Sequence, residues 1–155
     1  MPPSPSAPHS PATDELHTTA AQRLRASGLR YTTSRRAVVQ ILAATDRPLT
    51  IPEILAVDGS LAQSSAYRNL TELIAAGVVH RIIAGDEFSH FELAEDLTSH
   101  HHHLVCTSCG RVSDVTLTDA VETTLDRALA KVAAAQGFTA EHHRLDVLGR
   151  CAGCA

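Results

Sequence analysis

The sequence predicts an α+β chain in two parts, a helical N-terminal half closed by a β-hairpin and a smaller half built around a four-cysteine zinc site. Helical periodicity with capping residues recurs four times before Gly77 and gives way to two extended runs, Val78–Ile83 and Glu87–Leu93. The only cysteines among the 155 residues form two Cys-x-x-Cys pairs, Cys106/Cys109 and Cys151/Cys154. Charge divides at the same place: residues 1–83 hold eight Arg against six acids, and residues 84–155 hold five basic residues against eleven acids.

Residues 1–13, with five Pro and three Ser, cannot build a core and read as a disordered tail. Asp14 caps a first helix that Gly28 ends. Thr32 and Thr33 start the next, with Val38, Ile41 and Leu42 spaced three and four apart as its apolar stripe. Thr50, followed by Pro52, opens a short helix that turns Ile54 and Leu55 inward. Ser64 or Ser65 starts the fourth, which carries Leu70, Leu73 and Ile74 to Gly77. Ala84-Gly85-Asp86 then supplies turn residues between the two extended runs. Three helices in quick succession before a hairpin outline a winged helix, so residues 14–93 read as a DNA-binding domain.

Residues 94–99 read as a hinge, and residues 100–155 as a second small domain. His100–Cys106 and Val112–Leu117 read as strands, Asp119–Gln136 as a helix with Val121, Leu125, Leu129 and Val132 inward, and Glu141–Leu148 as a last strand. No run approaches the roughly 20 apolar residues of a membrane span, and the first residues lack the basic and apolar parts of an export signal. The expected location is the cytoplasm, where paired cysteines favour Zn2+ over disulfides. Four thiols in two such pairs suit one structural zinc ion.

The tract His100-His101-His102-His103 offers a second class of ligand. On a strand, side chains alternate, so His101 and His103 face one way and His100 and His102 the other. The first pair can be completed from the wing by His90 and Glu92, two residues apart, or by His80, giving a regulatory site shared by both domains. The second pair can meet Glu122 and either His142 or His143. Donors of nitrogen and oxygen without thiolate suit a divalent ion such as Zn2+ or Fe2+, and intrinsic affinity ranks zinc ahead of iron.

Five Arg and no acid occupy the stretch Leu16–Thr45, an electrostatic footprint for phosphate that includes Arg30 and Arg35. Ser64, Ser65, Tyr67, Arg68 and Asn69 cluster at the start of the fourth helix, where a groove-entering helix presents its side chains. These seven residues are the expected contacts to double-stranded DNA.

Ala66-Tyr67-Arg68-Asn69-Leu70, Phe91-Glu92-Leu93, the run from His100 to Gly110 and the run from His143 to Cys154 together resemble the ferric uptake regulator family of metal-dependent bacterial repressors. The resemblance implies a homodimer, assembled through the second domain, that closes on a palindromic operator when its regulatory metal is bound. It implies structural zinc on Cys106, Cys109, Cys151 and Cys154, a sensing site on Glu92, His101 and His103 with Asp114, and an additional site on His100, His102, Glu122 and His143. Two departures bear on the metal. The loop that supplies a His in many iron- and peroxide-sensing members reads Arg47-Pro48-Leu49-Thr50, and Ala94 stands where zinc-sensing members that use the His80 position add a Cys.

A zinc-dependent hydrolase or deaminase is the rival reading, but neither an HExxH helix nor the deaminase signature occurs. A metal-storage or chaperone protein, the other rival, has no use for a DNA-reading helix. The chain therefore reads as a metal-responsive repressor of metal uptake or homeostasis genes, not an enzyme.

Overall fold

The computed structural model describes residues 13–84 and 88–155, the side chain of Phe88 excepted, in two compact units that part between His100 and His101. The expected tail, Thr13 apart, and the turn at Gly85-Asp86 lie outside the described residues.

In the first unit α1 (Thr13–Ala26), α2 (Thr33–Ala43), α3 (Ile51–Val57) and α4 (Gln63–Ala75) precede the antiparallel hairpin of β1 (Val79–Ala84) and β2 (Phe88–Leu93). Thr50 and Glu53 form a reciprocal capping box that starts α3, with the Thr50 N–H donating to the Glu53 carboxylate at 2.8 Å. Helix α4 begins one residue before Ser64, at Gln63, and no side chain caps it. It ends where Gly77 takes a φ of 72° and the Val78 N–H turns back to the Leu73 carbonyl at 2.9 Å.

Leu24, Val38, Val39, Ile54, Leu70 and Leu73 are fully buried at the centre of this unit, and Phe91 and Leu93 bring the hairpin onto them. Each large aliphatic side chain so buried contributes about 1.5–3 kcal/mol. The loop before α3 joins the wing through paired backbone bonds between Leu49 and Phe91 at 2.7 and 2.9 Å. Residues 94–99, expected as a hinge, start with a 3-10 turn at Glu95–Leu97 whose Leu97 is buried in this same core.

The second unit orders its sheet β4-β3-β5, with β3 (His102–Cys106) antiparallel to β4 (Val112–Val115) and parallel to β5 (Asp146–Gly149). Helix α5 (Asp119–Ala135) lies in the connection that parallel pairing requires. The last strand is shorter than expected and starts at Asp146, so His142 and His143 sit in the segment leading into it.

The inward stripe assigned to α5 is corrected. Val121, Leu129 and Val132 are 50%, 38% and 66% exposed, Leu125 is half-buried, and the helix buries no residue. Among the described residues no helix is long and apolar enough to cross a membrane.

Candidate functional site

The two Cys-x-x-Cys pairs meet. Cys106 ends β3, Cys109 follows in the turn before β4, and Cys151 and Cys154 follow β5, so parallel pairing of β3 with β5 carries the second pair to the first. All four sulfurs lie within 4.8 Å of one another. The Cys109 and Cys151 sulfurs are 3.8 Å apart, too far for a disulfide, and all four thiols are free. A tetrahedron with Zn–S bonds of about 2.3 Å has edges of about 3.8 Å, so the spacing fits zinc.

Electrostatics around the sulfurs also suit a cation. N–H groups of Cys109, Cys151 and Ser108 directed at the Cys106 sulfur hold its thiol down to about 6. At Cys154 a hydrogen bond with Ser108 works downward, but the neighbouring thiols of Cys151 and Cys109 outweigh it and push the group up to about 11. Loading a metal would displace the protons these thiols retain.

A second cluster forms on the same sheet. The Nε2 atoms of His101 and His103 lie 4.0 and 3.9 Å from the two oxygens of Asp114, on the neighbouring strand. These separations exceed hydrogen-bond length and fall within the span of ligands around one ion. The two rings stand edge to face at 5.1 Å. His103 Nδ1 lies 2.9 Å from Asp146, its register partner on β5. A proton on Nδ1 in that bond leaves the Nε2 lone pair facing Asp114, the usual way a carboxylate orients a ligating His.

The third cluster uses the opposite face of β3. His102 Nε2 is 2.6 Å from one Glu122 oxygen and His143 Nε2 is 3.4 Å from the other. The two rings stack at 5.2 Å. Asp126, one helical turn beyond Glu122, holds His143 Nδ1 at 2.9 Å. His142 is exposed, and His143 is the member of that pair gathered with Glu122. His100 pairs with Glu95.

On the first unit, His80 stands directly opposite Glu92 across the hairpin, and His90 is two residues from Glu92. All three therefore share one face of the wing. His90 is buried, while His80 and Glu92 are half-buried.

Of the expected DNA contacts, Arg30, Ser64, Ser65, Tyr67 and Arg68 are exposed, Tyr67 by 55%. The other two are buried. Arg35 is 8% exposed: its guanidinium forms an ion pair with Glu72 of α4 and donates to the Arg30 carbonyl. Asn69 is 7% exposed because it follows Ala66 by three residues and precedes Leu73 by four, on the buried face of α4. Glu72 also accepts from Arg68 Nε at 3.4 Å, joining an inner and an outer arginine through one carboxylate.

Asp126, Asp146 and Glu72 were not singled out from the sequence. Asp126 had a signal, its four-residue spacing from Glu122, whereas Asp146 meets His103 only through strand register.

A helical head with an exposed recognition helix and hairpin, joined in one chain to a four-sulfur cluster and histidine–carboxylate clusters, defines a metal-binding DNA-binding regulator. The chain belongs to the ferric uptake regulator family, whose model matches residues 26–148. It is 31% identical over 139 residues to the ferric uptake regulation protein of Legionella pneumophila, covering 86% of this chain and 97% of that one. Against the peroxide operon regulator of Bacillus subtilis it is 29% identical over 140 residues, covering 88% and 91%. The Helicobacter pylori ferric uptake regulator Fur shares the fold with a TM-score of 0.72 at 20% identity, over 94% of this chain and 95% of that chain. The protein is thus a metal-responsive, DNA-binding transcriptional repressor, dimeric as its family is, and not an enzyme.

Proposed function

We propose that this repressor senses a divalent ion held by His101 and His103, and that the bound ion raises its affinity for a palindromic operator in metal uptake or homeostasis genes. The observation that carries the reading is the convergence of both imidazole Nε2 atoms on the Asp114 carboxylate, with Asp146 orienting His103. Glu92 completes the regulatory set from the wing, with His80 or His90 as the further donor, since these three share a face of the hairpin. His100, His102, Glu122 and His143 form the additional site. The four cysteines hold structural zinc.

Shells of nitrogen and oxygen donors suit both Zn2+ and Fe2+. Zinc is the sensed ion we favour, because a four-donor set such as His80, Glu92, His101 and His103 matches its tetrahedral preference. Recruiting His90 as a fifth donor would turn the preference toward iron. Contacts to DNA come from Arg30, Ser64, Ser65, Tyr67 and Arg68, while Arg35 and Asn69 position the helix that bears them.

The test is a titration of an operator, selected from a random duplex pool by the zinc-loaded protein, against Zn2+ and Fe2+. Saturating the site should tighten binding by about 1–3 kcal/mol, the usual scale of coupling between sites. Joint His101→Ala and His103→Ala substitution should abolish the gain while the cysteine zinc remains. Equal operator affinity with and without metal would overturn the proposal.

A further inference from the structure

The first unit contains a cleft that neither the metal clusters nor the recognition helix uses. Between α1 and the start of α2, an opening of about 480 Å³ is lined by Asp14, His17, Gln22, Arg25, Tyr31 and Arg36 among others. Its floor holds an unusual group. His17 is 4% exposed, its Nδ1 lies 2.6 Å from the Tyr31 hydroxyl, and its Nε2 is buried with no hydrogen-bond partner among the described residues. Its mouth holds Arg25 and Arg36, both exposed, whose guanidinium groups make no ion pair or hydrogen bond among the described residues.

The protonation of the floor follows from the pair. Burial lowers the pKa of His17, Arg36 lowers it further and Asp14 opposes, so the ring is neutral at neutral pH. Burial pushes Tyr31 up to about 12 despite the pull of Arg36, so the phenol keeps its proton. If Nδ1 donated to the phenol oxygen, both the Tyr31 proton and the Nε2 lone pair would be left without partners. If Tyr31 donates to Nδ1, one group alone is left over, an Nε2–H. Among the described residues that buried donor has no acceptor, a state whose desolvation penalty an incoming oxygen would lift.

Two guanidinium groups against one carboxylate make the cleft net positive. Guanidinium forks engage oxygens in pairs, and the inner N–H asks for a further oxygen. A carboxylate has two oxygens, whereas a phosphate group presents at least one more to a third donor.

We propose that this cleft is a phosphate-binding site separate from the recognition helix, with Arg25 and Arg36 at its mouth and the Nε2–H of His17 on its floor. The phosphate comes either from the DNA backbone or from a free phosphate or phosphorylated small molecule. The first source rests on the DNA-binding reading above, and the second does not.

The test follows the imidazole nitrogen resonances of full-length, zinc-loaded protein labelled with nitrogen-15 at histidine, the His17 signal being identified by its loss in His17→Gln. One titration adds inorganic phosphate at constant ionic strength, and another adds a mixed-sequence duplex at low salt, where backbone contacts dominate. A saturable shift of His17 Nε2 is expected, weakened about ten-fold or more by joint Arg25→Gln and Arg36→Gln, both at exposed positions. A shift with duplex that phosphate competes away assigns the site to the DNA backbone, and a shift with phosphate alone assigns it to a free ligand. Silence of His17 in both titrations, or an unchanged response in the double arginine variant, overturns the site. Duplex binding with His17 silent would do so without touching the DNA-binding reading.

Discussion

Removing the metal from the cysteine cluster should unfold the second unit and leave the first intact. The reason is the poverty of the second unit's interior. Its buried apolar side chains among the described residues are Val105, Cys106 and Val112, against eighteen residues in the core of the first. At about 1.5–3 kcal/mol for each valine, that core supplies roughly 3–6 kcal/mol. Ordering a single residue costs about 1–2 kcal/mol of backbone entropy, so the valines offset only a few of the residues that must be ordered. A structural zinc contributes about 10–16 kcal/mol, which makes it the dominant stabilising term.

Helical content gives the readout. Helix α5 supplies 17 residues, against 14, 11, 7 and 13 in α1 to α4. Chelation strong enough to strip the cysteines, or Cys106→Ser, should therefore remove about a quarter of the helical circular dichroism in one transition. The remainder should melt separately, at a temperature independent of zinc. Sedimentation should show dissociation to monomer with the first transition. Full helicity and a persisting dimer after verified metal removal would refute the reasoning, because then the second unit would not depend on the ion.

Three further outcomes are expected. Arg35→Leu removes one partner of the pair with Glu72, whose side chains are 10% and 20% exposed, and should destabilise the first unit by about 3–5 kcal/mol in urea unfolding; Arg68→Ala, at an 80% exposed side chain, should stay within about 0.5 kcal/mol while weakening DNA binding. Asp146→Asn should reduce metal affinity at the His103 cluster about 10–100-fold in competition with a chelating dye, with the cysteine zinc unaffected. For pH, the folded His17 has its pKa held below the ordinary 6.5 by burial and by Arg36 against Asp14, so the unfolded chain takes up the proton first. Stability should be full above about pH 6.5, fall as the pH drops from there toward the folded value, and level off below it. His17→Gln should flatten that segment of the urea-midpoint profile, and an unchanged slope would count against the assignment.

Much of the head was legible because its signals are local. Thr32 and Thr50 cap the helices they were expected to cap, and the hydrophobic spacing of α2 and α4 reports the core face directly. The pairing of the cysteines was legible for the same reason, since a two-residue gap fixes geometry within each pair. The burial of Arg35 and Asn69 was not legible, because residue type does not report direction. An arginine in a basic stretch points to solvent unless an acid waits on the neighbouring helix, and Glu72 lies on α4, 37 positions away. Asp146 escaped notice on similar grounds. Its bond to His103 spans 43 residues and exists only because β5 pairs with β3 in one particular register.

Helix α5 shows the same limit in its most instructive form. Its apolar positions repeat at helical spacing, which predicts an inward face, yet Val121 and Val132 are at least half exposed. Periodicity records that a face must leave water, not which body covers it. Phe138, Val147 and Leu148 are exposed by 69%, 48% and 68%, so the loop after the helix and the outer strand carry the same unmet need. The strand β5 also lies at the edge of its sheet with backbone groups open to pairing. A stable solitary chain does not leave that much apolar surface together with an unpaired edge. In a dimeric family a second copy is the expected cover for such a face, and it would protect the helix and the sheet edge together. Subunit association and the folding of the zinc-bearing unit are then one equilibrium, which is why metal removal is expected to dissociate the dimer rather than merely soften it.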